Sequence, residues 1–392
     1  MRTPSSRRGP AAGVARPRAD RVLDALGATV AVLVGATALV SLAPAAVGLS
    51  MRTPWAQLVT LRAVTAAGCL ALALVLLLVG ALVRLRRGRR GRPRRGPRGG
   101  WPPWVLGLAA CLLVVAAGHA GVLLWRAPPP AADAAPATGA PGRQPGDLVV
   151  TTLNVGPQGA DADVVVALAL RREAEVLALS EAPEPLARDV ADGLARAGRP
   201  VQLFSSASPE PAEEGSVDPA EALARPRAGG VLLPFVRPQT HLLVAEDLGA
   251  YAAAPAPDLR GGAVVARPRD GDGPPLAAVH TLPAVPLLFD MDLWREETEA
   301  AVDLCGHLPG GVVAGDLNAT PDHAVLAGAA CARAGSAAAA PPGTWPAGLP
   351  AALAAPIDHV LLDAAAWEPV GVVVDPAGAS DHRALTAVLR PR

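Results

Sequence analysis

Gly315-Asp316-Leu317-Asn318-Ala319-Thr320-Pro321-Asp322 is the stretch on which the chain turns. It follows Gly311-Val312-Val313-Ala314, an apolar run that reads as a short buried strand bounded by glycines. The strand ends by delivering a carboxylate and, two residues later, a carboxamide. In extended backbone, residues i and i+2 project to one side, so Asp316 and Asn318 can face a single ligand. Pro321 suits the first turn of a helix, which the pattern places over 321–330. An acid and an amide side by side suit a hard cation or a phosphoryl group. They are equally ordinary turn residues at a strand end, and the rest of the chain has to decide.

From residue 147 onward, short apolar runs alternate with helical patterns. Strands are expected at 148–154, 176–180, 230–233, 241–244, 263–266, 276–280, 311–314, 357–362, 370–374 and 384–389. Helices are expected at 161–172, 185–197, 292–307 and 321–330. Residues 205–224, rich in Pro, Glu, Ser and Asp, read as an acidic insertion. The mixture indicates an α+β sandwich rather than a strictly alternating βαβ sheet. Polar residues stand at the strand ends in order: Asn154, Glu181, His280, Asp316 with Asn318, Asp358, and finally Asp381 and His382. Each alone has a structural explanation as a turn residue, helix-start acid or cap. As an ordered set, each abutting an apolar run, they ask for a common one.

The set resembles the endonuclease/exonuclease/phosphatase superfamily of DNase-I-like, metal-dependent phosphoesterases, over about 148–389. The resemblance implies a four-layer α/β/β/α sandwich with its site at one edge of two sheets. It implies that Glu181 binds the metal, Mg²⁺ with Mn²⁺ as substitute, with Asn154 and Asp381 beside it. His280 is then the histidine on the scissile phosphate. Asp316 and Asn318 handle the attacking water and the phosphoryl oxygens, and Asp358 orients His382. Either Asp316 or His382 takes the water's proton. Departures from the family pattern are Ser180 before the glutamate, Ala384 after Ser380-Asp381-His382-Arg383, and Pro234-Phe235 after the 230–233 run. They bear on the substrate, which is a phosphate ester: a lipid, a small molecule or a nucleic acid. The competing reading is a catalytically silent binding or sensor module on the same fold.

Upstream, three runs are long and apolar enough for a bilayer core of ~30 Å: 25–49, 63–83 and 104–125, the last with His119 as its one ionisable side chain besides cysteine. No partner charge for His119 is visible in the runs, and a helix-packing or interfacial role is expected. Residues 1–126 thus form a three-helix transmembrane anchor, 127–146 a Pro/Ala-rich linker that lets the domain stand off, and 147–392 the domain. Arginines crowd the N-terminal tail and the loop at 84–100, whereas the loop between the first two runs has Arg52 and Arg62. The positive-inside bias puts the tail and the 84–100 loop in the cytoplasm, and three spans then put the domain outside the cell. Charge divides the same way. Residues 1–146 carry 19 arginines against three acids, net +16, and 147–392 carry 16 against 32, net −16. A solvated acidic domain attracts long polyanions weakly. Cys305 and Cys331 flank the opening octapeptide and can pair in an oxidising compartment.

Overall fold

The structure, a computed structural model, describes residues 18–89, 103–126, 142–156, 159–206, 239–286, 288–335 and 342–392. The expected strand at 230–233, most of the acidic insertion and most of the linker lie outside them. Four helices come first: α1 (Arg18–Val40), α2 (Trp55–Thr60), α3 (Arg62–Arg89) and α4 (Pro103–Arg126). Among the described residues, three stretches are long and apolar enough to cross a membrane, Val22–Val40, Arg62–Arg86 and Trp104–Arg126. Their large exposed apolar side chains, Val22 to Leu85 and Leu106 to Trp125, are the surface a bilayer would cover. The first span is shorter than the sequence suggested. Pro44 disfavours helical backbone in the residue before it, and a 3₁₀ turn, Pro44–Val47, follows instead.

The chain divides into two compact units, one from 1–39 and 68–116, the other from 40–67 and 117–392. Within the first, Cys111 Sγ lies 3.7 Å from the Gly35 carbonyl oxygen, and Trp104 packs where a side chain at Gly27 would stand. The second holds twelve strands among the described residues, in two six-stranded sheets. These are β1 (Leu148–Asn154), β2 (Val176–Ser180), β3 (Val201–Ser205), β4 (His241–Ala245), β5 (Tyr251–Ala254), β6 (Ala263–Pro268), β7 (Leu276–His280), β8 (Val312–Asp316), β9 (Ala332–Arg333), β10 (Asp358–Leu362), β11 (Trp367–Pro376) and β12 (Arg383–Pro391). One sheet runs β11-β12-β1-β2-β4-β3, the other β5-β6-β7-β8-β10-β9. Helices α5 (Ala162–Arg172), α6 (Glu184–Arg196), α7 (Met291–Gly306) and the short α8 (Ala324–Ala327) complete it.

Alternation along the strands explains the layering, since successive side chains take opposite faces. Leu148, Val150, Val176, Ala178, Val312, Ala314, Val360 and Leu362 meet between the sheets. Val149, Leu177 and Leu179 turn the other way, onto Val165, Leu168 and Val190 of α5 and α6. Val313 and Leu361 back onto Trp294 and Val302 of α7. The result is the α/β/β/α, DNase-I-like sandwich, preceded by the three apolar helices. Cys305 and Cys331 are disulfide-bonded, with Cα atoms 6.2 Å apart.

The expected helix at 321–330 reduces to the single turn α8. Thr320 N donates to His323 Nδ1 at 2.9 Å, and this local side-chain bond competes with helix formation.

Segment 40–67 packs on the domain. Met51 and Ala56 join the core around Trp294 and Leu317, and Ser50 Oγ accepts from Ala324 N at 2.9 Å. Arg62 Nε donates to Asp322 Oδ2 at 2.6 Å, and Arg126 donates to both Asp322 oxygens at 2.8 and 2.6 Å. His119 does have a charged neighbour, because Arg62 Nη1 lies 2.8 Å from its Nδ1 and Ser41 Oγ 2.9 Å from its Nε2. The partner was hidden because Arg62 stands just before the second apolar run.

Burial raises the Asp322 carboxyl, but the bonds from Arg126 and Arg62 outweigh it and hold the group well below the usual range. A depressed carboxyl adds stability above its unfolded pKa, near 4, and loses it as pH falls through the folded value. The thermal stability of the wild type is therefore expected to fall on acidification below pH ~4, and Asp322→Asn to remove that part of the acid limb. Parallel acid limbs in the two proteins would contradict it.

Candidate active site

The strand ends of both sheets deliver the polar set to one edge. β1 and β2 are parallel with Asn154 opposite Ser180, so Glu181 follows directly beside Asn154. β7 and β8 are parallel with His280 opposite Asp316, and antiparallel β10 puts Asp358 opposite Asp316 on its other side. Asn154, His280, Asp316 and Asp358 continue the rows of Val150, Ala278, Ala314 and Val360, all of which face the opposing sheet. The alternation that builds the core thus turns these four toward one another at its rim.

Asn154 Nδ2 donates to Glu181 Oε1 at 3.0 Å and to Asp316 Oδ2 at 2.9 Å, joining the two sheets. His280 Nε2 lies 3.5 Å from Glu181 Oε1 and 3.8 Å from Asp316 Oδ2. Asn318 N donates to Asp316 Oδ1 at 2.9 Å, and its Nδ2 to the Thr281 carbonyl at 2.8 Å. His382 Nδ1 is 2.9 Å from Asp358 Oδ2, and its Nε2 is 4.0 Å from Asp316 Oδ2. Ser380 Oγ donates to the Asn154 carbonyl and accepts from His382 N, fixing that loop. Asp381 is attached less directly. Its Oδ2 accepts from the Trp345 indole at 2.9 Å, and its Oδ1 stands 2.7 Å from where a side chain at Gly156 would begin. Trp345, Thr281 and Gly156 carried no signal in the sequence, because each acts on the site through backbone or indole groups that no spacing reveals.

Backbone strain concentrates here. Glu181 and Asn318 have φ of 52° and 45°, conformations that are costly outside glycine and gather at functional sites. Gly315 has a different role, since a Cβ there would fall on the Val279 carbonyl of the neighbouring strand. Gly315→Ala is expected to cost roughly 3 kcal/mol and to displace Asp316. Comparing thermal unfolding of the two proteins checks it; an unchanged transition would contradict the close approach.

Burial and the neighbouring Asp358 carboxylate raise the Asp316 carboxyl to about 6, against the opposing effect of His382 and His280. Burial pulls the His382 imidazolium down, yet the charge and hydrogen bond of Asp358, with Asp316 and Asp381, outweigh it and raise the group to about 9. The centre therefore pairs a carboxyl displaced upward into the working range with an imidazolium held charged.

Both ring nitrogens of His280 and Asp358 Oδ1 are buried without a hydrogen-bond partner within the protein, which marks a place meant for a further group. Glu181 accepts one hydrogen bond from Asn154, and its side chain is 30% exposed. Hard oxygen donors with one open carboxylate fit a divalent cation that keeps part of its water shell. Asp316, Asp358 and His382 also lie close enough to hold an ion, with donor atoms within 4.8 Å. Their fully buried Asp–His hydrogen bond reads better as a proton-orienting triad.

The Endonuclease/Exonuclease/phosphatase family profile matches residues 117–382, and the chain belongs to that family. Its members are hydrolases of phosphoester bonds that generally use divalent metals. Similar solved structures include an endonuclease/exonuclease/phosphatase from Bacteroides vulgatus, 16% identical, covering 63% of this chain and 99% of its own, with a TM-score of 0.43. One from Beutenbergia cavernae is 19% identical over 62% of this chain and 72% of its own, with a TM-score of 0.42. Truncated Caenorhabditis elegans TDP2 is 12% identical over 62% and 98%, with a TM-score of 0.40. Comparison with curated proteins gave no match.

Proposed function

We propose that the chain is a membrane-anchored, outward-facing, Mg²⁺-dependent phosphoesterase. The observation that carries this reading is the meeting of Asn154, Glu181, His280, Asp316, Asn318 and His382, drawn from both sheets, around unpartnered buried nitrogens of His280. Glu181, with Asn154 and Asp381, would hold the cation, which when bound supplies charge for the phosphoryl oxygens. Asp316, with its carboxyl raised to about 6, is the group that takes the proton of the attacking water near neutral pH. Asn318 and Asn154 fix the two Asp316 oxygens and so the direction of that transfer. His382, kept protonated and oriented by Asp358, neutralises charge on a non-bridging oxygen. His280, at the end of β7 in the other sheet, donates to the same phosphoryl group.

Outward orientation rests on the arginine distribution. It is supported by the grouping of 40–67 with 117–392, as an external loop and external domain would group, and by a disulfide suited to an oxidising compartment. The net −16 of 147–392 and tethering beside lipid favour a phospholipid or small diester over long nucleic acid. Full-length protein in nanodiscs with Mg²⁺ should cleave bis(4-nitrophenyl) phosphate and phospholipid faster than DNA or RNA. Inertness toward all four would return the chain to a silent binding module.

A further inference from the structure

The backbone from Asp316 to His323 is held at both ends. At one end Asn318 N and Nδ2 are tied to Asp316 and Thr281. In the middle His359 Nε2 lies 2.8 Å from the Ala319 carbonyl. At the other end Asp322 receives three hydrogen bonds from Arg62 and Arg126. The side chains of this ion cluster are 5%, 17% and 12% exposed for Arg62, Arg126 and Asp322. Arg62 opens α3 and Arg126 closes α4, so the charges that neutralise Asp322 come from the ends of two apolar helices.

The segment does not hold its shape by local preference. Asn318 sits at a φ of 45°, which persists only when surroundings over-determine it. Its helical alternative, opened by Pro321, is suppressed. A buried carboxylate with charge-assisted bonds from two guanidinium groups is the strongest outside restraint on it. Breaking such a group by removing one sign leaves an uncompensated buried charge.

We infer that Asp322, Arg62 and Arg126 are positioning residues for the reaction proposed above, and that the helix ends hold in place the segment presenting Asp316 and Asn318. The apolar helices are then part of the catalytic apparatus and not merely a tether. The inference rests on the phosphoesterase reading for its catalytic consequence, but its structural part stands separately.

The test uses the full-length chain in nanodiscs, with Mg²⁺ and bis(4-nitrophenyl) phosphate. Two variants are compared with wild type: Arg62→Gln/Arg126→Gln, and the triple variant that adds Asp322→Asn. The triple variant removes the three charges of this ion cluster together, so none of them is left buried without its counter-charge, and it is the variant expected to fold if the double variant does not. Misplacement of reacting groups by about 1 Å costs ~10²-fold, so kcat is expected to fall about 10- to 100-fold in the triple variant. KM should stay within about threefold, because the cation-holding Glu181 and the phosphoryl contact at His280 are untouched. Hydrogen exchange of the peptide 315–323 should quicken, while β1 and β2 exchange as in wild type. Wild-type kcat or wild-type exchange of 315–323 in the folded triple variant overturns the inference. Should the wild type cleave no diester, the phosphoesterase reading fails by itself. The exchange comparison then decides the positioning role, faster exchange supporting it and unchanged exchange overturning it.

Discussion

His382→Ala is expected to lower turnover by ~10²–10⁴-fold with the domain still folded. The imidazole is 5% exposed, anchored at Nδ1 by Asp358 and directed at Asp316 through Nε2. Two contributions disappear together: the positive charge facing the phosphoryl oxygens and the field that restrains Asp316. Asp358→Asn should give a related but smaller loss. The ring would remain, while its tautomer and charge would no longer be set by a carboxylate. Both effects belong in kcat, since the charge matters most as the transition state develops. Steady-state kinetics on each variant, with thermal unfolding as the folding control, checks this. Near-normal kcat in His382→Ala would remove the histidine from the reaction.

Glu181→Gln is the second large effect. Glu181 is the open carboxylate of the site, with one oxygen taken by Asn154 and a strained φ that aims it after β2. Glutamine keeps the length and the Asn154 contact on its carbonyl but loses the negative charge that a hard cation requires. The expected result is at least a tenfold rise in the Mg²⁺ concentration needed for activity and a ~10²-fold loss of turnover. Chelation of the wild type should reduce hydrolysis to the same low level, and Mg²⁺ or Mn²⁺ should restore it. Unchanged Mg²⁺ dependence in Glu181→Gln would assign the cation elsewhere, with the buried Asp316–Asp358–His382 group the alternative locus.

The two-sheet sandwich was legible because its strands are regular. Val312-Val313-Ala314 and Leu148-Val149-Val150 alternate their burial partners as their apolar runs imply. The polar set was legible for the same reason, since each member continues or directly follows such a run. Short or weakly patterned strands were missed. Val201–Ser205 is only half-buried, and Tyr251–Ala254 is largely alanine, so neither carries a clear period. The helix expected after Pro321 lost to bonding of the Thr320 amide to the His323 ring, a local side-chain choice that the helical pattern does not contain. The Asp322 cluster was invisible for a different reason: Arg62 and Asp322 are 260 residues apart, and nothing local in either stretch names the other. Trp345 likewise reaches Asp381 through an indole nitrogen from an irregular loop.

The central claim is that side chains from both sheets converge on one divalent cation and the ester beside it. Mn²⁺ soaked into crystals of the full-length chain and located by anomalous scattering tests this most directly. The account predicts a single strong peak within coordination distance of a Glu181 carboxylate oxygen, lost in Glu181→Gln. A peak held by Asp316, Asp358 and His382 without Glu181, or no peak near either, would contradict it.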